Sequence, residues 1–325
     1  MNSALPSPPY MPMTFGQILE RVFRLLRTNL SLFIGIAAVP GLTLFLTYGM
    51  VLAAIGPIFI STIRGGKPDE IFRLMGLTSA LFIPIMLVYL LVFAVYLAAA
   101  SYAAVLADCG TRVSFGDAYR VACARIGRYV LLTLAIYAVT FLPALLLELP
   151  LLGSSMLMSA HKATPNPAFI LLFPLFFFLV FAAFIAGALI GLRLSLAFAA
   201  SVFESLGVKQ AIKRSWTLTR GALGRIFLVV LILYAAIYIA TMVLLLGAVF
   251  IGAIGIFLFG PHGHPSTQAT TSLAVGAILL YLALIAVITT GSWASFTTAF
   301  GVIYNDQRLR VDGPPAGPPS VGVPA

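Results

Sequence analysis

Residues 226–260 read IFLVVLILYAAIYIATMVLLLGAVFIGAIGIFLFG, without one Asp, Glu, Lys or Arg. The absence of charge continues to Asn305, so 80 consecutive residues from Ile226 carry none. Only Pro261, His262, Gly263, His264 and Pro265, with the polar run Ser266–Thr271, interrupt the apolar character. A helix that crosses a bilayer needs about 20 apolar residues, so this stretch predicts two spans joined by a loop. Runs such as Phe169–Phe184 are apolar on every side, the pattern of a helix in lipid. The strands of a β-barrel would instead alternate polar and apolar residues over about ten positions.

Working outward, residues 28–63, 74–107, 129–147 and 163–192 are also charge-free. The reading is an all-α, polytopic integral membrane protein with six spans at about 30–56, 78–106, 129–152, 169–198, 227–258 and 273–303. Several exceed the minimum length by about ten residues and are expected to tilt or kink. Pro40-Gly41, Pro84, Pro143 and Pro174 are the expected kink sites, because proline removes a backbone donor and clashes with the preceding turn. Of 325 residues 61% are hydrophobic and 9% charged, and the mean hydropathy is +1.09. A soluble domain carries about 25% charge. The first apolar run is longer than the 7–15 residues of a signal-peptide core, so it is expected to stay as an anchor. Residues 1–13 and 313–325, rich in Pro, flank a membrane domain at 14–312 as tails expected to be disordered.

The formal net charge is +10. No soluble domain is left to bind nucleic acid, and basic residues of membrane proteins gather in cytoplasmic loops. With the N-terminus inside, 15 Lys and Arg fall inside and four (Arg64, Lys67, Arg73, Lys162) outside. Both termini are therefore expected in the cytoplasm of a bacterial or archaeal cell, with 57–77, 153–168 and 259–272 as outer loops. Cys109 and Cys123 then lie on the reducing side, where a disulfide is not expected.

Three basic segments, 15–28, 115–127 and 208–222, echo one another ahead of alternate spans. Two open Thr14-Phe15-Gly16 and Ser114-Phe115-Gly116; the third follows Ser205-Leu206-Gly207. Thr14 with Gln17 fits a capping box, and Ser114 with Asp117 is similar. In the first segment Phe15, Ile18, Leu19, Val22 and Leu26 share one helical face, opposite Arg21, Arg24 and Arg27. Such helices are expected to lie in the interface with their basic faces at phosphates. The expected headgroup contacts are Arg21, Arg24, Arg27, Lys209, Lys213, Arg214 and Arg220, with Trp216 as interfacial anchor; the partners are the bilayer and its anionic phospholipid. The echo predicts three copies of basic helix plus helical hairpin.

Glu204-Ser205-Leu206-Gly207-Val208-Lys209-Gln210-Ala211-Ile212-Lys213-Arg214-Ser215-Trp216-Thr217-Leu218-Thr219-Arg220-Gly221, the opening from Thr14 to Arg21, and the ending from Tyr304 to Gly313 resemble the glycerophosphoryl diester phosphodiesterase membrane-domain family. The resemblance covers about 14–313. It implies a multi-pass membrane domain, not hydrolysis, since in phosphodiesterases of that type catalysis belongs to a separate barrel of roughly 250 residues. This chain holds only short loops and tails outside its spans.

Chemistry is sparse. His262 and His264 could supply two metal ligands, but a site needs three or four, and His161 lies in another outer loop. No metal and no cofactor are expected. Glu148, one turn from the outer end of the third span, reads as an end residue reaching water, with a proton or ion path as the alternative. Arg193 and Glu204 lie 11 residues apart, about 16 Å along a helix, too far to touch. Arg193 is expected at headgroups or paired with a neighbouring helix. Gly187, Gly191 and Ser195, within a four-residue repeat of small side chains, are expected to pack helices, within the bundle or across a dimer. No catalytic residues are expected. The leading function is a non-enzymatic membrane module; a transporter of lipid or small solute is the alternative, and an intramembrane enzyme the third.

Overall fold

A computed structural model describes residues 11–63, 68–161, 167–259 and 267–313, and in them ten α-helices. Three are short and amphipathic or basic: α1 (Phe15–Thr28), α4 (Phe115–Cys123) and α8 (Val208–Thr219). Six are long: α2 (Leu30–Ile63), α3 (Pro68–Asp108), α5 (Ile126–His161), α6 (Pro167–Leu194), α9 (Leu223–Phe259) and α10 (Thr267–Asp312). Each of the six contains a stretch long and apolar enough to cross a membrane. The short α7 (Ala197–Phe203) follows α6 after a break at Ser195-Leu196. Among the described residues there is no strand.

The boundaries depart from the expected ones in instructive ways. The fourth span, expected unbroken to 198, breaks where the Ser195 hydroxyl and amide both turn back to the Leu192 carbonyl, at 2.8 and 3.4 Å. The helix expected over 115–127 stops at Cys123, and α5 starts anew at Ile126. The expected helix over 208–222 ends at Thr219, followed by Gly221 at φ +80°, a backbone state that glycine adopts without strain. Helices run through Pro40, Pro84, Pro143 and Pro174 without interruption. Met13, expected in a disordered tail, is buried. Residues 1–10, 314–325, His262 and His264 lie outside the described residues.

The caps follow local chemistry. Gln17 Oε1 accepts the Thr14 amide at 2.8 Å, and the Ser114 hydroxyl accepts the Asp117 amide at 3.1 Å. The third copy is built otherwise: Gly207 caps α8 without a side chain, and Ser205 sits at φ 51°.

Inside lipid there is no water to drive helices together, so close backbone approach through small residues matters. Helices α2, α3 and α10 form one packed group, α5 pairs with α6, and α9 leans on α10. A Cβ on Gly301 of α10 would overlap Ala104 of α3, one on Gly187 of α6 the Thr140 carbonyl of α5, and one on Gly41 of α2 the Thr290 hydroxyl of α10. The stretch of α3 from Ala94 to Asp108 is almost wholly buried, and seven of its residues are alanines. An aromatic group of Tyr89, Phe93, Tyr96 and Trp293 stitches α3 to α10 with centroids 5.3–6.4 Å apart. The outer faces of α5, α6 and α9 expose large apolar side chains, Phe178 and Phe250 among them. On a soluble protein such a surface would aggregate; here it meets acyl chains.

Candidate functional site

The chain's long-range polar contacts concentrate at one end of the bundle, where α1, α4 and α8 gather around the ends of α3, α7 and α10. Three carboxylates organise it. Asp108, at the end of α3, accepts Arg21 Nε at 2.6 Å and Asn305 Nδ2 at 2.8 Å. Arg21 also reaches the Asp108 carbonyl at 2.6 Å, fastening α1 to α3 with both arms. Glu204, after α7, accepts Arg214 Nε at about 3.0 Å and the Tyr304 hydroxyl at 2.9 Å. Asp306 of α10, fully buried, accepts the Met13 amide at 2.7 Å, Arg310 Nε at 2.9 Å and Gln307 Nε2 at 3.1 Å. Arg225 Nη1 lies 3.8 Å from the same carboxylate, while its buried Nε has no partner. Arg310 also donates to the Met13 carbonyl at 2.6 Å, which is why the residues just before α1 are held.

This arrangement divides the residues expected at headgroups. Arg21 and Arg214 are mostly buried and held by carboxylates, Arg214 by both Glu204 and Asp312. Burial alone would lower the proton affinity of Arg214, but its hydrogen bonds to Asp312 and Glu204 outweigh that and raise it above the ordinary value. The sequence reading gave neither side chain these carboxylate partners. Arg24 pairs with Glu20 one turn away and stays half exposed, an arrangement worth little. Arg27, Lys209, Lys213 and Arg220 are exposed, and among the described residues no carboxylate pairs with them. Arg193 does not reach Glu204; its guanidinium sits 4.5 Å from the centroid of the Trp216 ring. Cation–π contact of this kind contributes about 0.5–2 kcal/mol. The Arg193 carbonyl accepts the Ser215 hydroxyl at 2.7 Å, docking α8 on the end of α6.

The second copy has the same character. Arg112, Arg120 and Arg125 are exposed, and no described carboxylate pairs with them or with Arg128. Arg125 and Arg128 reach the Ser205 hydroxyl and carbonyl, each at 3.1 Å.

Asp108 was the residue the sequence reading missed. Its signal was present: Asp108 and Asp306 each end a charge-free apolar run at the basic end. Gly187 and Gly191 both face Thr140 of α5, and Ser195 lies at the α6 break. Glu148 is half-buried within α5, and among the described residues no group of three His, Cys, Asp or Glu could hold a metal.

A second feature lies just beneath the basic end. A cavity of about 480 Å³ opens between α6 and α9, backed by α3, α5 and α10. Its lining is apolar apart from Ser101, Ser195, Thr297 and Tyr234, and none of it is charged.

The two free cysteines report on this end. Burial, then the Asp108 carboxylate, push the Cys109 thiol up to about 11, against opposing help from Arg21, Arg308 and Asn305. Cys123 is exposed. Since only the thiolate reacts, alkylation of purified protein near neutral pH should modify Cys123 at least about tenfold faster than Cys109. Equal rates by peptide mapping would contradict the burial described.

Fold and site together define an all-α, polytopic membrane protein with three short helices, α1, α4 and α8, collected at one end. The chain matches no family model, no curated protein and no solved structure.

Proposed function

We propose that the protein is a non-catalytic membrane module whose basic end rests on anionic headgroups of the cytoplasmic leaflet, with both termini in the cytoplasm of a bacterium or archaeon. Membership of the glycerophosphoryl diester phosphodiesterase membrane-domain family is part of this proposal, on the motifs quoted above. The observation that carries it is charge left over at one end. Arg27, Arg112, Arg120, Arg125, Arg128, Arg193, Lys209, Lys213 and Arg220 are matched by no described carboxylate. Each basic residue beside an anionic surface contributes roughly 1 kcal/mol, fading within a Debye length.

The test replaces Lys209, Lys213 and Arg220 with Gln and leaves Arg214 intact, because Arg214 holds Glu204 and Asp312. Native mass spectrometry should show anionic lipid retention lowered about tenfold or more at low salt, with the gap closing as salt rises. Equal retention would leave those charges with a role in topology alone. Orientation is read by Cys123: a membrane-impermeant maleimide should label it only after spheroplasts are permeabilised. Transport of a lipid is the second reading, favoured by the lateral cavity between α6 and α9; a vesicle assay of lipid movement separates the two.

A further inference from the structure

Ile126-Gly127-Arg128-Tyr129-Val130-Leu131 opens α5, and Leu223-Gly224-Arg225-Ile226-Phe227-Leu228 opens α9. The two stretches match position by position: an aliphatic residue, glycine, arginine, two apolar residues and leucine. They match in burial as well. Both arginines are partly exposed, Tyr129 and Ile226 are buried, and Leu131 and Leu228 are exposed. Each stretch follows one of the short helices, α4 or α8, so the two arginines hold equivalent places in the second and third repeats. Among the described residues three buried side-chain nitrogen or oxygen atoms have no hydrogen-bond partner, and two of them are Arg128 Nε and Arg225 Nε. The same donor is thus orphaned at the same place twice. A buried donor without an acceptor is costly, and in a folded protein it marks a partner that arrives from outside.

We infer that Arg128 and Arg225 are two equivalent binding positions for a phosphate-type oxyanion, carried by a lipid headgroup or free in solution. This deepens the headgroup proposal and rests on it for placing this end among phosphates. It adds two discrete positions, one of them at an arginine that proposal does not use.

Charge favours an anion over water at both places. No described carboxylate pairs with Arg128. Its guanidinium is held in place by the Ser205 carbonyl and the Tyr129 hydroxyl, each at 3.1 Å, and lies 5.1 Å from the centroid of the Tyr129 ring. Arg125, which reaches the Ser205 hydroxyl, adds a second cation beside it. Arg225 Nη1 lies 3.8 Å from Asp306, but that carboxylate already accepts from Met13, Gln307 and Arg310. Two guanidiniums and one carboxylate leave one positive charge over. The planar edge of a guanidinium matches two oxygens of a phosphate, and a small turn of each side chain brings Nε into that contact.

Depth and access agree. Each arginine is the third residue of a stretch able to cross a membrane, Ile126–Glu148 or Leu223–Phe250, which sets it at the edge of the hydrocarbon beside the headgroups. Gly127 and Gly224 leave the approach open, since nothing lies within 4 Å of the place a Cβ would take on either. Leu131 and Leu228, three residues on and so on the same helical face, offer exposed apolar surface to the chain of a bound lipid. The first repeat opens α2 with Leu30-Ser31-Leu32-Phe33 and has no arginine there, so it supplies no third position.

The experiment uses the full chain in detergent at about 1 M salt, where the Debye length falls to about 3 Å and loosely held lipid is screened away. Phosphatidylglycerol is titrated in, and native mass spectrometry counts the molecules retained. Relative to wild type, the count should fall by one in Arg128→Gln, by one in Arg225→Gln and by two in the double variant. Affinity at each altered position should drop about tenfold or more, as for the loss of a hydrogen bond to a charged group. Phosphatidylcholine, whose choline offsets the phosphate, should not take these places. Excess inorganic phosphate that displaces both lipids assigns the positions to free phosphate, and lipids that stay assign them to headgroups; either result upholds the oxyanion. Gel filtration shows whether a variant has folded. Should Arg128→Gln fail through its lost bond to Ser205, Arg225→Gln decides, because it leaves the hydrogen bonds of Asp306 in place. A count that does not fall in a folded variant, or a wild type that retains no lipid and binds no phosphate, overturns the inference. The variant with Lys209, Lys213 and Arg220 replaced by Gln should keep both molecules at this salt. Its loss of lipid at low salt tests the headgroup proposal separately, so either can fail while the other stands.

Discussion

Asp306→Ala is expected to destabilise the protein by about 3–5 kcal/mol, the loss seen when one member of a buried ion pair is removed. The carboxylate is fully buried and receives four hydrogen bonds, one each from the Met13 amide and Gln307 and two from Arg310. Alanine leaves the Arg310 guanidinium without its charge partner and the Met13 amide without an acceptor. Arg225, whose Nε already lacks a partner, loses the carboxylate 3.8 Å from its Nη1. The consequence reaches α1, since Met13 is hydrogen-bonded to α10 through Asp306 and Arg310. Thermal or denaturant unfolding in detergent measures the loss. Arg310→Ala and the double variant complete a cycle, and a coupling of about 0.5–3 kcal/mol is expected. A single variant within about 1 kcal/mol of wild type would show the pair to be solvated, against the buried geometry.

Gly301→Val is expected to cost about 3 kcal/mol, at the upper end of overpacking penalties. The new Cβ would overlap that of Ala104 and lie 3.0 Å from the Ala104 carbonyl carbon and 3.1 Å from the Val105 amide nitrogen. Two of these neighbours are backbone, so no rotamer change relieves the clash. Helices α3 and α10 must separate. Asn305, one turn further along α10, would then draw away from Asp108 and from the Val105 carbonyl it also bonds at 3.2 Å. The loss should therefore appear also as faster alkylation of Cys109, which contacts Asn305. Gly247→Ala is the control: nothing lies within 4 Å of its Cβ position, and the exchange should be neutral or gain up to about 1 kcal/mol. A tolerated Gly301→Val would show that the two helices do not meet so closely.

The two substitutions sit at opposite ends of what could be read in advance. Glycine and alanine on α3, α6 and α10 are visible as small residues, but a small residue does not name its partner. The sequence marked Gly187 and Gly191 as packing positions on the strength of a four-residue spacing. Their facing residue, Thr140, lies about 50 positions earlier. The spacing that suggested them is a property of one helix, whereas the crossing is a property of two.

The amino-acid sequence by itself determined the class of protein, the six apolar helices, the three short helices that precede alternate spans and the uneven distribution of charge along the chain. These are local properties. A run of uncharged residues has one favourable solvent, and a basic segment between such runs has few places to go. Tertiary structure alone decided which charges remain free. Arg21 and Arg27 share the basic face of one helix, yet Arg21 closes on Asp108, 87 residues away, while Arg27 stays exposed. Lys213 and Arg214 are adjacent, yet only Arg214 meets carboxylates, one of them 98 residues distant. Met13 was assigned to a tail because its neighbours are Pro-rich, and it is held by Asp306, 293 residues away. The same holds for the cleft, which is lined by residues of α3, α5, α6, α7, α9 and α10. Hydropathy fixes where a segment resides within a few residues. Pairing of charges and gaps between helices depend on which segments meet, and that is decided by packing across the whole chain.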